Sequence, residues 1–192
     1  MIALPKAKWT SAQFIDWSLG QPKKYELEQG RVVEMAAEQA KHALTKHAAA
    51  NALQAGVRRA GLDCTVFPDG MTVVVDDAHV RLPDAAVQCG AIDPEAVVLD
   101  RPVVLVEVAS PSSAYRDETQ KLIEYFQIAS VQHYLLIAPD QSLIVHFRRG
   151  EGAGKVETRF VSDGTIDLTP PGFTVSVADL LGRDARNTMQ SN

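Results

Sequence analysis

The chain has 192 residues, of which 46% are hydrophobic and 22% are charged. This length and apolar content predict one globular domain over residues 1–192 and argue against a second full domain. The formal net charge of −5 argues against a protein that holds nucleic acid mainly through basic contacts to phosphate. It does not exclude nucleic acid as a substrate, because catalytic carboxylates contribute to the acidic count.

The apolar runs and the cysteines bear on where the protein works. No apolar run approaches the roughly 18 residues that span a bilayer, and no leader-like segment opens the chain, so we expect no membrane partner. Cys64 and Cys89 lie outside any C-x-x-C or Cys/His cluster. We therefore expect two reduced thiols, no zinc site and a cytoplasmic location.

The first third of the chain predicts a helix, a hairpin and a long helix. The predicted elements are a helix over 10–19, strands over 25–28 and 31–36, and a helix over 40–60. Thr10 is a fair N-cap for the first helix, and Gly61 is a natural end for the alanine-rich second helix. Leu44, Leu53 and Val57 are expected near one face of that helix.

The remainder predicts mostly strands. They are expected over 64–67, 71–75, 84–89, 102–109, 133–138, 142–148, 155–161 and 165–168, with helices over 115–130 and 177–181. Residues 102–109 form the most apolar β-branched run and predict a central strand that is covered on both faces. This order of elements predicts an α/β fold with a mixed central β-sheet flanked by helices. Residues 183–192 are expected to form a frayed tail.

Two acidic residues stand out in this pattern. Glu107 places a carboxylate in an otherwise apolar strand, where it must be paired, hydrogen-bonded or bound to a metal. Asp84 follows a proline at the start of a neighbouring predicted strand. If the two strands are adjacent, their ends place both carboxylates around one hard cation such as Mg²⁺. A buried ion pair at Glu107 and a turn residue at Asp84 remain the alternatives.

The helix that follows adds a lysine and a further acid. Asp117 and Lys121 are separated by four positions, so they share a face apart from the apolar stripe that contains Leu122 and Phe126. Taken alone, the pair indicates an exposed helix salt bridge, with Asp117 also favoured by its place near the helix N-terminus. Asp84, Glu107 and Lys121 can together hold a divalent metal ion and activate a water, and this combination is expected of a nuclease.

These residues resemble the Uma-type family of putative restriction endonucleases, within the PD-(D/E)XK nuclease superfamily. The central motifs are Pro83-Asp84, Glu107-Val108 followed by Ser110-Pro111-Ser112, Asp117 with Lys121 and Tyr125, and His133-Tyr134-Leu135-Leu136. Weaker similarities are Tyr25-Glu26-Leu27, Gly30, Val33-Glu34-Met35-Ala36, His42, Pro171-Gly172-Phe173-Thr174-Val175 and Ala178-Asp179-Leu180-Leu181. The resemblance covers residues 10–181 and implies a restriction-endonuclease-like fold.

The resemblance implies metal-dependent hydrolysis of phosphodiester bonds, with Mg²⁺ or Mn²⁺ as cofactor and DNA as the expected substrate. Asp84 and Glu107 would be catalytic and would bind the metal. The superfamily's lysine usually lies two residues after the second acid, where this chain has Ala109. The resemblance therefore implies that Lys121 supplies the catalytic ammonium group from the next helix.

Three further residues receive roles from the resemblance. Glu34 looks like the acid that some superfamily members bring to the metal from an early element. His42 and Asp117 are possible auxiliary residues of the same site. A polar helix residue is the alternative interpretation of His42.

Two other functions remain open from the sequence. The chain could be an inactive nuclease-like protein that binds nucleic acid or another partner, which Ala109 and the acidic charge both favour. It could also be a structural or interaction protein in which Glu107 and Lys121 simply pair in the interior. If it cuts both strands of DNA with one site per chain, we expect a homodimer, because two-fold dimers are the commonest assembly.

Overall fold

The computed structural model describes residues 8–109, 115–152 and 154–183, without the side chains of residues 115–118. Three features from the sequence lie outside this part: the Ser110-Pro111-Ser112 motif, the side chain of Asp117, and the tail beyond Arg183. No helix in the described ranges is long and apolar enough to cross a membrane.

The described residues form four α-helices: α1 (Ser11–Ser18), α2 (Ala40–Ala60), α3 (Tyr115–Gln127) and α4 (Val177–Leu180). Thr10 caps α1, because its hydroxyl accepts the Gln13 N–H while the Gln13 side chain accepts the Thr10 N–H. Helix α2 ends at Gly61, whose φ of 62° is in the left-handed region that favours glycine. The bounds of α1 and α2 therefore agree with the sequence prediction.

Twelve strands are present in the described ranges. They are β1 (Tyr25–Glu28), β2 (Arg31–Glu34), β3 (Cys64–Pro68), β4 (Val73–Asp76), β5 (His79–Arg81), β6 (Ala85–Cys89), β7 (Pro102–Val108), β8 (His133–Ala138), β9 (Leu143–Arg149), β10 (Val156–Val161), β11 (Thr165–Leu168) and β12 (Phe173–Ser176). The sequence did not predict β5 or β12.

The central sheet has six strands in the order β10-β9-β8-β7-β6-β3. Strands β7 and β8 are parallel and all other neighbours in it are antiparallel, so the sheet is mixed as predicted. A four-stranded sheet, β2-β1-β5-β4, and a β11-β12 hairpin accompany it.

Apolar side chains cover both faces of the central sheet. On one face, Val104 and Val106 of β7 join a cluster that includes residues of α2, α4 and β12. On the other face, Leu105 joins a cluster that includes Tyr125 of α3 and Tyr134 of β8. Successive side chains of a strand point to opposite faces, so Glu107, two residues after Leu105, is directed to the α3 side.

The buried face of α2 differs from the prediction at one position. Leu53 and Val57 are buried, but Leu44 is 60% exposed. Nine positions at about 100° per residue place Leu44 half a turn from Leu53, so the two cannot share a face. Gly56 lies on the buried face, where the Phe173 ring of β12 packs against it.

The cysteine prediction was wrong. Cys64 and Cys89 are direct partners in the antiparallel β3–β6 ladder and are joined in a disulfide. Their separation in sequence gives no indication of this pairing, because it follows from the register of two strands connected through β4 and β5.

Candidate active site

Asp84 and Glu107 come together where β6 begins. The β6–β7 ladder opposes Ala85 to Val106, so the residues one step further along each strand are Asp84 and Glu107. Asp84 Oδ2 accepts the Val108 N–H at 2.7 Å, which fixes that carboxylate against β7. Both acids are buried. The strand adjacency that the sequence suggested is therefore present.

Helix α3 places two donors on Glu107. Lys121 Nζ lies 3.0 Å from Glu107 Oε1, and the Tyr125 hydroxyl donates to the same oxygen at 2.5 Å. Lys121 and Tyr125 are one helical turn apart, so both reach inward from the same side of α3. Ala109 carries no amine, and Lys121 supplies an ammonium group to the carboxylate from a different element.

Burial controls the ionisation of Glu107. Desolvation raises the pKa of its carboxyl to about 7; Lys121 opposes the increase, whereas Asp84 and Glu26 add to it. Burial and the adjacent Glu107 also raise the pKa of Tyr125 well above its usual value, so its hydroxyl remains a hydrogen-bond donor. A desolvated carboxyl beside a second acid is strongly stabilised in its charged form by a nearby cation.

Lys46 of α2 contacts the other acid, and the sequence did not indicate it. Its ammonium group lies 2.7 Å from Asp84 Oδ1, 3.0 Å from Glu38 Oε2 and 3.5 Å from Asp69 Oδ2. Burial alone would lower the pKa of Lys46, but the carboxylates of Asp84 and Glu38 outweigh burial and raise it. Each acid of the pair therefore has its own lysine, buried in the case of Lys46 and partly exposed in the case of Lys121.

His42, one turn before Lys46, also lies at this site. Its Nε2 is 2.6 Å from the Val108 carbonyl oxygen, and its Nδ1 is 2.7 Å from Glu38 Oε2. Both partners are hydrogen-bond acceptors. The structure thus brings His42 to the backbone segment that carries Glu107.

A second charged network surrounds Lys121. Glu26 of β1 accepts the Leu82 N–H at 3.1 Å through Oε1, which is also 3.5 Å from Lys121 Nζ. Arg81 of β5 is 1% exposed and donates to Glu26 and to Glu124 of α3, at 2.9 Å and 2.7 Å respectively. A third acid, Glu28, accepts from the same guanidinium at 3.1 Å. The sequence indicated no role for Arg81, and it indicated Glu26 only as part of a weaker family motif and not as a residue of the site.

Glu34 does not join these residues. It lies on β2, the edge strand of the four-stranded sheet, opposite Tyr25, and its half-exposed side chain pairs with Lys23. Glu26, on the neighbouring strand β1, is the early acid that reaches the site. The metal-binding role expected for Glu34 stays a prediction: the contact given for its side chain is with Lys23, on an edge strand.

The oxygen atoms at the site suit a hard divalent cation. The Asp84 and Glu107 carboxylates and the Val108 carbonyl are the oxygen ligand types that Mg²⁺ and Mn²⁺ accept. Among the described residues, no group of three or more His, Cys, Asp or Glu side chains is already arranged to hold a metal ion. Two carboxylates with waters retained are a usual Mg²⁺ set, so the donor chemistry fits such an ion.

Comparisons with known proteins bear on the fold and the family of this chain. No curated protein matches the chain. A crystal structure described as a "putative nuclease belonging to DUF820" from Anabaena variabilis matches with a TM-score of 0.68 and 19% identity, covering 90% of this chain and 97% of that one. This similarity shows a shared fold.

A family model extends the comparison from fold to sequence. The model described as "Uma2: Putative restriction endonuclease" matches residues 11–178, which is most of the chain. That range includes Asp84, Glu107 and Lys121. The chain belongs to the Uma2 family of putative restriction endonucleases, and this membership supports a nuclease.

Proposed function

We propose that this protein is an endonuclease that uses a divalent metal ion to hydrolyse phosphodiester bonds in DNA, with Asp84, Glu107 and Lys121 as its catalytic residues. The observation that carries the proposal is the contact of Lys121 with Glu107, next to Asp84. Asp84 precedes β6, Glu107 belongs to β7 and Lys121 to α3; Glu107 is next to Asp84 in the strand register and contacts Lys121. Family membership supports the same class of reaction.

Asp84, Glu107 and the Val108 carbonyl would hold Mg²⁺ or Mn²⁺. When bound there, such an ion stabilises charge on the phosphate and lowers the pKa of a coordinated water. The hydrogen bond from the Val108 N–H fixes the orientation of the Asp84 carboxylate. Tyr125 does the same for Glu107 through its hydroxyl.

Lys121 is the proposed cationic catalyst. Its ammonium group has three donors on a flexible stem, so it can hold Glu107 and also orient an attacking water or a phosphate oxygen. An ammonium group near the phosphate stabilises the negative charge that develops in the transition state, and its partial burial strengthens this effect. Glu26 Oε1 lies 3.5 Å from the same ammonium group and helps to restrain it.

Lys46 and His42 act from α2 in this proposal. Lys46 places a second ammonium group, which is buried, beside Asp84, where it balances the acid and can contact a bound phosphate. His42 holds the Val108 carbonyl and so positions the segment that carries Glu107. Arg81 forms ion pairs with Glu26 and Glu124 and so stabilises the charged network next to Lys121.

The proposal is tested by incubating the protein with supercoiled plasmid, linear duplex DNA and single-stranded RNA, each with Mg²⁺, Mn²⁺ or a chelator. We expect metal-dependent nicking of the plasmid that the chelator stops and that Glu107→Gln abolishes. Cleavage that persists in the chelator or in Glu107→Gln would contradict the assignment. Cleavage of RNA alone would keep the site and change the substrate.

A second candidate is a nuclease-like protein that binds nucleic acid or another partner without cutting it. The specific observation that favours it is that Lys46 and Lys121 already pair with both acids, which suits a site that is structurally complete without a metal. It predicts a shift of labelled DNA in a gel with no cleavage in Mg²⁺ or Mn²⁺. Turnover by the wild type would exclude it.

A further inference from the structure

Strand β10 is an exposed edge of the central sheet. It pairs only with β9 within the described ranges. The side chains of residues 156–160 are exposed on both faces of the sheet. Phe160 is 73% exposed, the most of any large apolar residue in the described part of the chain. An edge strand with unpaired backbone groups and an exposed aromatic side chain is a template for another strand.

The order of residues in β10 is complementary to itself. Consider two copies of the strand paired antiparallel about a two-fold axis that passes Thr158. Glu157 of each copy then lies opposite Arg159 of the other, and Val156 lies opposite Phe160. Opposite charges and apolar pairs at facing positions both stabilise antiparallel strands.

Neighbouring registers lack this match. Facing residues of two antiparallel strands point their side chains to the same face of the sheet. A two-fold axis perpendicular to the sheet meets this condition only where it passes one residue, which then faces its own copy. Moving the axis to Glu157 places two glutamates opposite each other, and moving it to Arg159 does the same with two arginines. Like charges at facing positions destabilise the pair, so Thr158 is the favoured centre.

The rest of the sheet continues across such a junction. Within the chain, Glu157 already lies opposite Arg148 of β9, so pairing would place it between Arg148 and Arg159 of the second copy. On the other face, Phe160 lies opposite Val145 of β9, which packs against the apolar cluster beneath α3. Pairing would therefore extend both a row of alternating charge and an apolar surface.

We propose that two copies of this chain associate through antiparallel pairing of β10 about Thr158, which joins their central sheets into one. A second copy of the chain is the partner that fits this edge, because Glu157 and Arg159 of one strand face Arg159 and Glu157 of the other when the axis passes Thr158. The junction is separate from Asp84 and Glu107, so dimerisation and cleavage can fail independently.

A charge-reversal cycle tests the register. The dissociation constant is measured by light scattering after gel filtration for the wild type, Glu157→Arg, Arg159→Glu and the double variant, with Glu95→Arg as a control at another exposed site. Each single reversal should raise the dissociation constant about tenfold, because two facing pairs become repulsive, and the double variant should restore it. A wild type that stays monomeric at every concentration, or a dimer that neither reversal weakens, would overturn the proposal.

Cross-linking supplies a second, independent test. Thr158→Cys places two thiols opposite each other at the axis, within reach of a disulfide under mild oxidation. Val156→Cys is the control, since it would face Phe160 of the second copy and not itself. Covalent dimers from Thr158→Cys alone support the register, whereas equal cross-linking of both variants or of neither contradicts it. DNA cleavage measured on the same samples shows separately whether the nuclease proposal stands.

Discussion

Lys121 Nζ lies 3.0 Å from Glu107 Oε1, although the two residues belong to different elements, helix α3 and strand β7. Ala109 occupies the position where the resemblance would place the catalytic lysine, yet an ammonium group still reaches the second acid. The chemistry of a site depends on where its charged atoms lie and not on the element that carries them. This contact is the basis of the predictions about activity below.

Metal binding should be visible without any measurement of cleavage. An ion that binds only the folded protein raises its melting temperature in proportion to the logarithm of the ion concentration. We expect Mg²⁺ and Mn²⁺ to raise the melting temperature of the wild type and to leave that of Asp84→Asn unchanged. Differential scanning fluorimetry over a series of metal concentrations measures this.

Glu34→Gln is the matched control for the metal experiment. Because Glu34 lies at the sheet edge in a pair with Lys23, this variant should respond to metal as the wild type does. A loss of the metal response in Glu34→Gln would show that the early acid of the site is Glu34 and not Glu26. An unchanged response in Asp84→Asn would remove Asp84 from the proposed metal site.

Arg81 should be important for stability. It is buried among Glu26, Glu28 and Glu124, and removing it would leave their charges without their main cation. We expect Arg81→Met to lower the free energy of unfolding by about 3–5 kcal/mol, the usual cost of breaking a buried ion pair. Urea denaturation of the apoprotein measures the change.

Arg101 provides the comparison for Arg81. It is largely exposed, with Asp100 3.7 Å away. Arg101→Met should therefore change the free energy of unfolding by less than about 1 kcal/mol. Equal effects of Arg81→Met and Arg101→Met would mean that the Arg81 network contributes little to folding.

A buried histidine pair should make stability depend on pH. His133 Nε2 donates to the Pro170 carbonyl at 2.9 Å, so its Nδ1 accepts from His146 Nε2, also at 2.9 Å. Burial lowers the pKa of both rings from 6.5 to about 4. The positive charge of nearby arginines lowers the pKa further, whereas the negative charge of Asp167 partly offsets the decrease. The folded protein therefore favours the neutral rings.

The direction of the pH effect follows from these pKa values. Between pH 6.5 and pH 4 the unfolded chain binds more protons than the folded protein. The contribution of the pair to stability is thus complete above pH 6.5 and is lost as the pH falls towards 4. Each unit of pKa difference corresponds to about 1.4 kcal/mol.

His146→Gln should reduce this acid sensitivity, because a glutamine amide can donate to His133 and does not titrate. We expect a smaller decrease in the urea midpoint between neutral and acidic pH than in the wild type. His47→Gln, on the exposed face of α2, should retain the full decrease. An equally steep decrease in His146→Gln would exclude His146 as a source of the effect.

Gly56 is required by packing and not by backbone conformation. A Cβ atom at this position would lie 2.6 Å from Phe173 Cδ2 and 3.1 Å from the Thr174 carbonyl oxygen. Gly56→Ala should therefore lower the free energy of unfolding by about 1–3 kcal/mol, although alanine is the better helix former. Gly20→Ala, whose Cβ would meet only an ordinary contact at 3.8 Å, should be close to neutral. Wild-type stability of Gly56→Ala would contradict the packing account.

The sequence predicted the elements that have strong local determinants. Helix α2 has good helix formers and a terminal Gly61, and β7 is a long β-branched run, so the boundaries of both were close to those observed. Strand β5 was missed because it has three residues, of which only Val80 is apolar. Its stability comes from pairing with β1 and β4, which a local pattern does not contain.

The site was predictable where residues are unusual for their surroundings. Glu107 stands out in an apolar strand, whereas Lys46 resembles an ordinary solvent-exposed helix lysine. Glu26 and Leu27 are both buried although they are adjacent in β1, so alternation along that strand does not reveal which acid faces the site. The arrangement of the sheets, and not the local sequence, distinguishes Glu26, which contacts Lys121, from Glu34, which pairs with Lys23.

The central claim is tested most directly by the rate of plasmid nicking under single-turnover conditions in Mg²⁺ for the wild type, Lys121→Met and Lys23→Met. Lys23 is an exposed lysine that pairs with Glu34 outside the site. Removing one preorganised charged donor usually costs about 10²–10³ in rate. We therefore predict a loss of that size in Lys121→Met and an unchanged rate in Lys23→Met. A Lys121→Met variant that nicks DNA as fast as the wild type would contradict the assignment of Lys121 as the catalytic lysine.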